Sequence, residues 1–561
     1  MGKNSECDVK CSDTQKKQLI RNIYTKVRHV YILIYMFIVA SVAMIPVRLA
    51  TDGKMGIVYM GLAGVGFLLL LTEFYLHISQ YRNWSGILRI LFMCACVISM
   101  VANMKYGITD NIKTLCWTGI QIFVLMAVDT ELSTVQIIRQ FRQFSEAFSF
   151  IWSVGVLLSL RLFILQYSNE YWLMDSVTIT REGFTEGRLF GVFTDPNYAA
   201  LCSCAVIFFA ICNILLGRKK ILSIIYHAII IFMQVSYVIL SGSRTAQVGI
   251  IFIVFAVALL LIVKCCISKK MNMIWKVVIP FICACVAVVI CFFGWKVLKK
   301  GYSYVPEVYA SIFENKKEIT IESEGLTEGE VITESEPVTE EEVVTESEPV
   351  AGEEIVTESE PVAGEEVVTE NEPVAGEEVV TENAPATEVE VTTENEVAEI
   401  GEISFIRDDV EDTDDISNNR FSIWKDYIEV FKTTPIVGTS PRNALKYAED
   451  HFTSSYIVEM QYSVHNTYLA LFVCTGLIGG ILMMLWLLLT AARVIKYLVV
   501  HPMKQPGYYV ILMLTCIVVI YAIAAFPLMF MFFNNMIVDI VFWVTLGFLM
   551  ALIKKYEKEI K

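Results

Sequence analysis

The residues able to do chemistry in this chain are few and sit between long apolar runs. They are Arg188, Asp195-Pro196-Asn197, Arg244, Arg420, Trp424 and His465-Asn466. Arginines in such a set can clamp a diphosphate bidentately and stabilise it as it leaves. A neutral histidine can accept a proton from an attacking hydroxyl near neutral pH. Each signal is weak alone. An arginine at a membrane edge can equally snorkel to headgroups, a reading that also stands for Arg161 inside an apolar run, and a lone histidine opening a helix is usually just interfacial. Of the six histidines only His451 and His465 fall in the long polar loop, and no pair has metal-ligand spacing. No metal site and no cofactor is therefore expected. The sequence has no Walker-type phosphate loop, no G-x-S-x-G elbow and no nucleic-acid module.

These residues are positioned by a membrane protein. The 561 residues are 55% hydrophobic and 18% charged, more apolar than ordinary soluble domains. Runs long enough to span a bilayer number about twelve, near 30–49, 55–76, 86–104, 114–129, 147–167, 196–216, 221–241, 246–264, 274–295, 467–490, 508–530 and 533–553. The expected fold is an all-α polytopic bundle. Basic residues recur on alternate loops: Arg82 and Arg89, Arg139 and Arg142, Arg218 to Lys220, Lys264 to Lys270, Arg493 to Lys504, and Lys554 to Lys558. The positive-inside rule then puts both termini in the cytoplasm, and the large loop between spans nine and ten outside. The C-x-C pairs Cys94/Cys96, Cys202/Cys204 and Cys283/Cys285 lie within apolar runs and read as packing residues.

The expected organisation is a basic cytoplasmic tail (1–29), an N-terminal membrane domain (30–295), an extracytoplasmic loop (296–466), a C-terminal membrane domain (467–553) and a short tail (554–561). Within the loop, a twelve-residue unit starts at 333, 345, 357, 369, 381 and 393 with Thr-Glu-Ser or Thr-Glu-Asn. Residues 321–400 contain 27 Glu and no Lys or Arg, so the net charge of -15 becomes +12 without them. Lacking aromatics and self-repelling, this stretch cannot bury enough surface to fold and reads as a disordered insertion. The loop changes character at 419–466, after the acidic run Asp408–Asp415. Phe421, Trp424, Tyr427/Ile428 and Phe431 share a helical stripe, Asn418 and Asn419 are candidate caps, and Thr433-Thr434-Pro435 is a stop. This amphipathic helix can lie on the bilayer or roof the membrane domain.

The order of Gly187-Arg188-Leu189-Phe190-Gly191, Asp195-Pro196-Asn197-Tyr198-Ala199 and Ser241-Gly242-Ser243-Arg244 resembles the O-antigen ligase and polymerase superfamily. So do Asn419-Arg420, Ile423-Trp424, Pro435-Ile436-Val437-Gly438, His465-Asn466-Thr467-Tyr468-Leu469 and Thr475-Gly476-Leu477-Ile478-Gly479. The resemblance implies a multi-pass membrane glycosyltransferase that extends or transfers undecaprenyl-diphosphate-linked glycans onto a sugar hydroxyl, without nucleotide sugars. By the same resemblance Arg188 and Arg244 bind the lipid diphosphate, Arg420 assists, and His465 orients or deprotonates the acceptor. Asn197, Asn466 and Trp424 complete the expected substrate-binding set. The partners implied are a lipid-linked oligosaccharide, a glycan acceptor and the bilayer, with no nucleic acid.

Two other classes stay open on the sequence alone. A transporter or lipid flippase also needs intramembrane arginines, but calls for inverted repeats and broken helices at the midplane. A surface-display protein would use the membrane domain as an anchor for the acidic repeat. The choice between polymerase and ligase stays open, as do the sugar, the linkage and the acceptor.

Overall fold

The computed structural model describes residues 2–51, 54–129, 131–171, 179–217, 220–267, 275–313, 403–405 and 419–560. The acidic repeat at 321–400, the run Asp408–Asp415, Asn418, and the basic positions Arg218, Lys219, Lys269 and Lys270 lie outside these. The chain divides into two units, Met1–Ser311 with Ile400–Lys561, and Ile312–Glu399.

The first unit is an all-α membrane bundle. Among the described residues ten helices are long and apolar enough to cross a bilayer. Of the remaining expected spans, Tyr508–Ala524 has 17 residues, and Ile108–Ile120 has 13 and runs on as a π-helical turn, Gln121–Leu125. Pro196–Leu216 and Ile537–Glu559 are the most enclosed helices. Helices Arg244–Ile267 and Trp275–Ser303 leave most of their apolar side chains uncovered. Phe281, Val289, Ile290, Phe293 and Val297 are more than half exposed, the outward apolar surface that lipid covers rather than water. Arg161 sits in the last turn of Thr134–Ile164 with its side chain exposed, the position of a snorkelling arginine.

The chain departs from straight helices at one end of the bundle. The first helix stops at Val42, and Met44 pairs with Phe193 as an isolated antiparallel bridge. The Ile45 N–H donates to the Val192 carbonyl at 2.6 Å and the Thr194 N–H to that of Ala43 at 3.2 Å. A small antiparallel sheet, which apolar periodicity did not reveal, follows: β1 (Ser168–Tyr171), β2 (Thr180–Thr185) and β3 (Arg188–Gly191), in the order β1-β2-β3.

The span expected over 508–530 ends at Ala524, and the next starts at Ile537 rather than 533. Between them 525–536 is non-helical although Phe530, Met531, Phe532 and Phe533 are buried. Asp539 holds this segment by accepting from the Met531 N–H at 2.5 Å and the Met536 N–H at 2.7 Å. Irregular backbone is stable in such a bundle where protein encloses it and its polar groups are satisfied.

The amphipathic helix runs from Arg420 to Thr433 and packs on the membrane helix Thr467–Val500, as a roof. Its buried stripe is Ile423, Tyr427 and Val430, with Trp424 half-buried; Phe421 and Ile428 point outward instead. Two surfaces, the long helix below and the turn Tyr456–Glu459 beside it, rotate the covered face away from the most aromatic one. Asn419 sits at the N-cap with φ 63 and makes no side-chain cap bond.

Candidate active site

Arg188 is delivered by a hairpin. Strands β2 and β3 are joined by Glu186 and Gly187, both at positive φ (53 and 67), the two-residue turn whose twist suits adjacent strands. Arg188 opens β3, paired with Thr185. Its buried guanidinium donates from Nε to the Ser241 carbonyl and from Nη2 to Asn197 Oδ1, both at 3.0 Å. Asn197 is held in the first turn of Pro196–Leu216 by Asp195, whose Oδ1 accepts from the Asn197 N–H (2.7 Å) and the Tyr198 N–H (3.3 Å). The aspartate is thus an N-cap, and the cap fixes the acceptor that orients Arg188.

Arg244 stands three residues beyond Ser241, at the start of the helix Arg244–Ile267. Ser243 Oγ accepts from the Ala246 N–H at 3.4 Å and steadies this start. The Arg244 side chain is exposed and has no hydrogen-bond or ion-pair partner among the described residues. Arg188 is therefore a built-in brace, and Arg244 a cation left available.

His465 sits at a corner. Its backbone is left-handed, φ 47, between the roof and the membrane helix that Asn466 caps. Asn466 is buried, and its Oδ1 accepts from the Leu469 N–H at 3.0 Å. The roof grips the corner through Trp424 Nε1, which donates to the His465 carbonyl at 3.4 Å. Tyr427 likewise donates its hydroxyl to the Tyr462 carbonyl at 2.7 Å. The imidazole is half-buried and has no hydrogen bond among the described residues. Burial pushes its pKa below the ordinary histidine value; the Arg420 cation pushes the same way, and Asp195 opposes both.

Two groups of candidates result. Arg188 and Asn197 are joined by a hydrogen bond and braced on the Ser241 turn, while Trp424, His465 and Asn466 form the corner. Asp195 and Arg420, both in the electrostatic field of His465, link the two. Arg244 is tied to the first group only by the turn.

Several positioning residues are not evident from sequence. Thr467 accepts from the Phe530 N–H at 3.0 Å, and its Oγ1 lies 2.9 Å from the carbonyls of Leu528 and Phe530, so it anchors the irregular 525–536 segment below His465. Tyr198 donates its hydroxyl to the Met529 carbonyl of the same segment at 3.1 Å. The roof is docked through backbone: the Leu477 N–H donates to the Pro435 carbonyl (2.8 Å), and Asn103 Nδ2 to that of Gly438 (2.9 Å).

A bundle of apolar helices with arginine- and histidine-bearing loops gathered at one end defines a multi-pass membrane protein with a polar site at its rim. Residues 228–484, just under half of the chain, match the family described as O-antigen ligase, a match that supports the O-antigen ligase superfamily. The match takes in Arg244, Arg420, Trp424, His465 and Asn466, while Arg188 and Asn197 precede it. No curated protein matches the chain. The match supports a membrane glycan ligase or polymerase of cell-surface polysaccharide synthesis, with glycosyltransferase-like activity.

Proposed function

We propose that the protein transfers an undecaprenyl-diphosphate-linked oligosaccharide to a sugar hydroxyl at the outer face of the membrane, with both termini in the cytoplasm. The observation that carries this reading is the half-buried imidazole of His465, which has no hydrogen bond among the described residues and lies in the electrostatic field of Asp195 and Arg420. The acceptor hydroxyl oxygen attacks the anomeric carbon, and its proton passes to His465. The bond from that carbon to the diphosphate oxygen breaks, and the polyprenyl diphosphate leaves with the electron pair. Arg244 meets the diphosphate charge, Arg188 holds the Arg244 turn and adds to the local field, and Arg420 assists. Charge stabilisation of this kind is worth most where water is excluded. Asn197 and Asn466 position these groups, and Trp424 fixes the His465 backbone. The lipid-anchored donor enters laterally between helices under the 420–433 roof.

Arg244→Ala and His465→Ala in the native host test the reading. Each abolishes long glycan chains with protein abundance in the membrane unchanged. Normal polymer-length ladders in both variants overturn the site.

A further inference from the structure

One polar cavity is not used by this mechanism. It has a volume of about 380 Å³ and lies where the first helix ends, between Thr180 of β2, the start of Pro196–Leu216 and the start of Ile537–Ile560. That volume is in the range of about 300–1,000 Å³ typical of small-molecule sites. Its wall combines the aromatic rings of Tyr59, Trp152 and Phe193 with Arg48, Asp195 and Asn535. Trp152 and Phe193 are themselves stacked, with ring centroids 4.5 Å apart.

Asp195 and Asn535 have unspent valence. Asp195 uses only Oδ1 for its cap, and Oδ2 has no hydrogen bond among the described residues. Asn535 accepts the Tyr35 hydroxyl on Oδ1, and its Nδ2 has no partner among the described residues. A lining of aromatic rings with a carboxylate, a carboxamide and a guanidinium suits a sugar. The rings meet its C–H faces, and the planar groups take its hydroxyls. A carboxylate in the wall argues against a phosphate ligand. The polar wall argues against an acyl chain, for which the apolar groove lined by Val27, Val30, Ile34, Ile57 and Val65 is the better fit.

We propose that this cavity is a saccharide subsite, in which Asp195 Oδ2 and Asn535 Nδ2 hold hydroxyls of the glycan substrate beside the diphosphate site. The inference rests on the proposed glycan transfer. Its location follows from Asp195: one oxygen caps the turn that carries Asn197, the Arg188 partner, and the other is left for the cavity.

The test is saturation-transfer NMR on the purified full-length protein in detergent. The probe is the repeat-unit oligosaccharide released from the host's own surface glycan, free of lipid and diphosphate. Wild type is expected to saturate the sugar protons. Asp195→Asn keeps the cap oxygen and the side-chain volume, and Asn535→Leu removes the amide. Each is expected to weaken binding about tenfold or more, as loss of a well-placed polar contact does. A thermal melt for each variant separates lost binding from lost folding, since Asn535→Leu strands the Tyr35 hydroxyl. No saturation in wild type overturns the subsite, as does unchanged affinity in folded Asp195→Asn and Asn535→Leu. Displacement of the sugar by phosphatidylglycerol assigns the cavity to lipid and also overturns it. Failure of the transfer reading is distinct, because it shows as normal ladders in the Arg244 and His465 variants, which this binding measurement does not use.

Discussion

The Arg188 guanidinium donates to the Ser241 carbonyl at 3.0 Å, so an arginine from the β2–β3 hairpin holds the turn from which a second arginine, Arg244, projects. The two candidate diphosphate ligands thereby have different jobs. Arg188→Ala leaves the Ser241 carbonyl and Asn197 Oδ1 without their donor, a loss of about 1–3 kcal/mol for buried groups. It should abolish glycan chains and lower the melting temperature of the purified protein. Arg188→Lys restores charge without the planar fork and should recover only part of each. Arg244→Ala, at an exposed position with no ion pair or hydrogen bond among the described residues, should abolish chains with the melt unchanged. A melt lowered equally in both alanine variants contradicts this division.

Gly438 and Gly476 occupy each other's space. A Cβ on Gly438 (φ 73) would lie 2.5 Å from the Gly476 nitrogen, and one on Gly476 (φ 65) would lie 2.0 Å from the Ile436 carbonyl oxygen. The membrane helix is broken at Gly476, and the freed backbone bonds the roof: Thr439 and Ser440 N–H groups donate to the Val473 and Cys474 carbonyls. Alanine at either position adds backbone strain of about 1–3 kcal/mol to a backbone clash. Either variant is expected to reduce membrane abundance sharply and to melt lower. A glycan defect at normal abundance and normal melting temperature would contradict this docking role.

The apolar helices and the helix at 420–433 are legible in the sequence because each depends on local composition and spacing. His465-Asn466 is legible as a helix start, since an asparagine before an apolar run is a ready cap. What escapes are partners brought in from far along the chain. Phe526 to Phe533 reads as helix because it is apolar, yet its backbone is held by Asp539 and by Thr467, roughly sixty residues away in sequence. The β2–β3 hairpin is too short for periodicity to show, and only Glu186-Gly187 hints at it. The roof's buried stripe is turned from Phe421 to Ile423 by neighbours that a helical wheel does not contain.

Deletion of 321–400 should leave glycan assembly intact. Lys299 Nζ touches the Phe405 carbonyl at 3.5 Å, so the chain entering the roof starts beside the helix that leads away from it. Ser311 lies on that same helical run, about 18 Å beyond Lys299. The residues left after deletion, 312–320 and 401–404, reach about 40 Å when extended, enough to reconnect them. Polymer ladders and membrane abundance of the deletion strain decide the matter. Retained chains count against surface display as the main role, and lost chains with normal abundance assign the repeat a part in assembly.

The pH dependence of transfer reports on His465. A general base acts in its neutral form, and here burial first, then Arg420, depress the imidazole pKa while Asp195 raises it. The acid limb of the rate should therefore have its midpoint below about 6.5, the ordinary histidine value, with a plateau through neutrality. Arg420→Gln removes a cation that disfavours imidazolium, so the midpoint moves up. Asp195→Asn removes an anion that favours it, so the midpoint moves down. Stability follows the same sign: a depressed folded pKa gives a contribution present above the unfolded value and lost as pH falls through the folded one. Initial rates of reconstituted full-length protein from pH 4.5 to 8, with melts at each pH to separate unfolding, measure the midpoints. Movement of either midpoint in the opposite sense, or a limb that persists in His465→Ala, assigns the titration to another group.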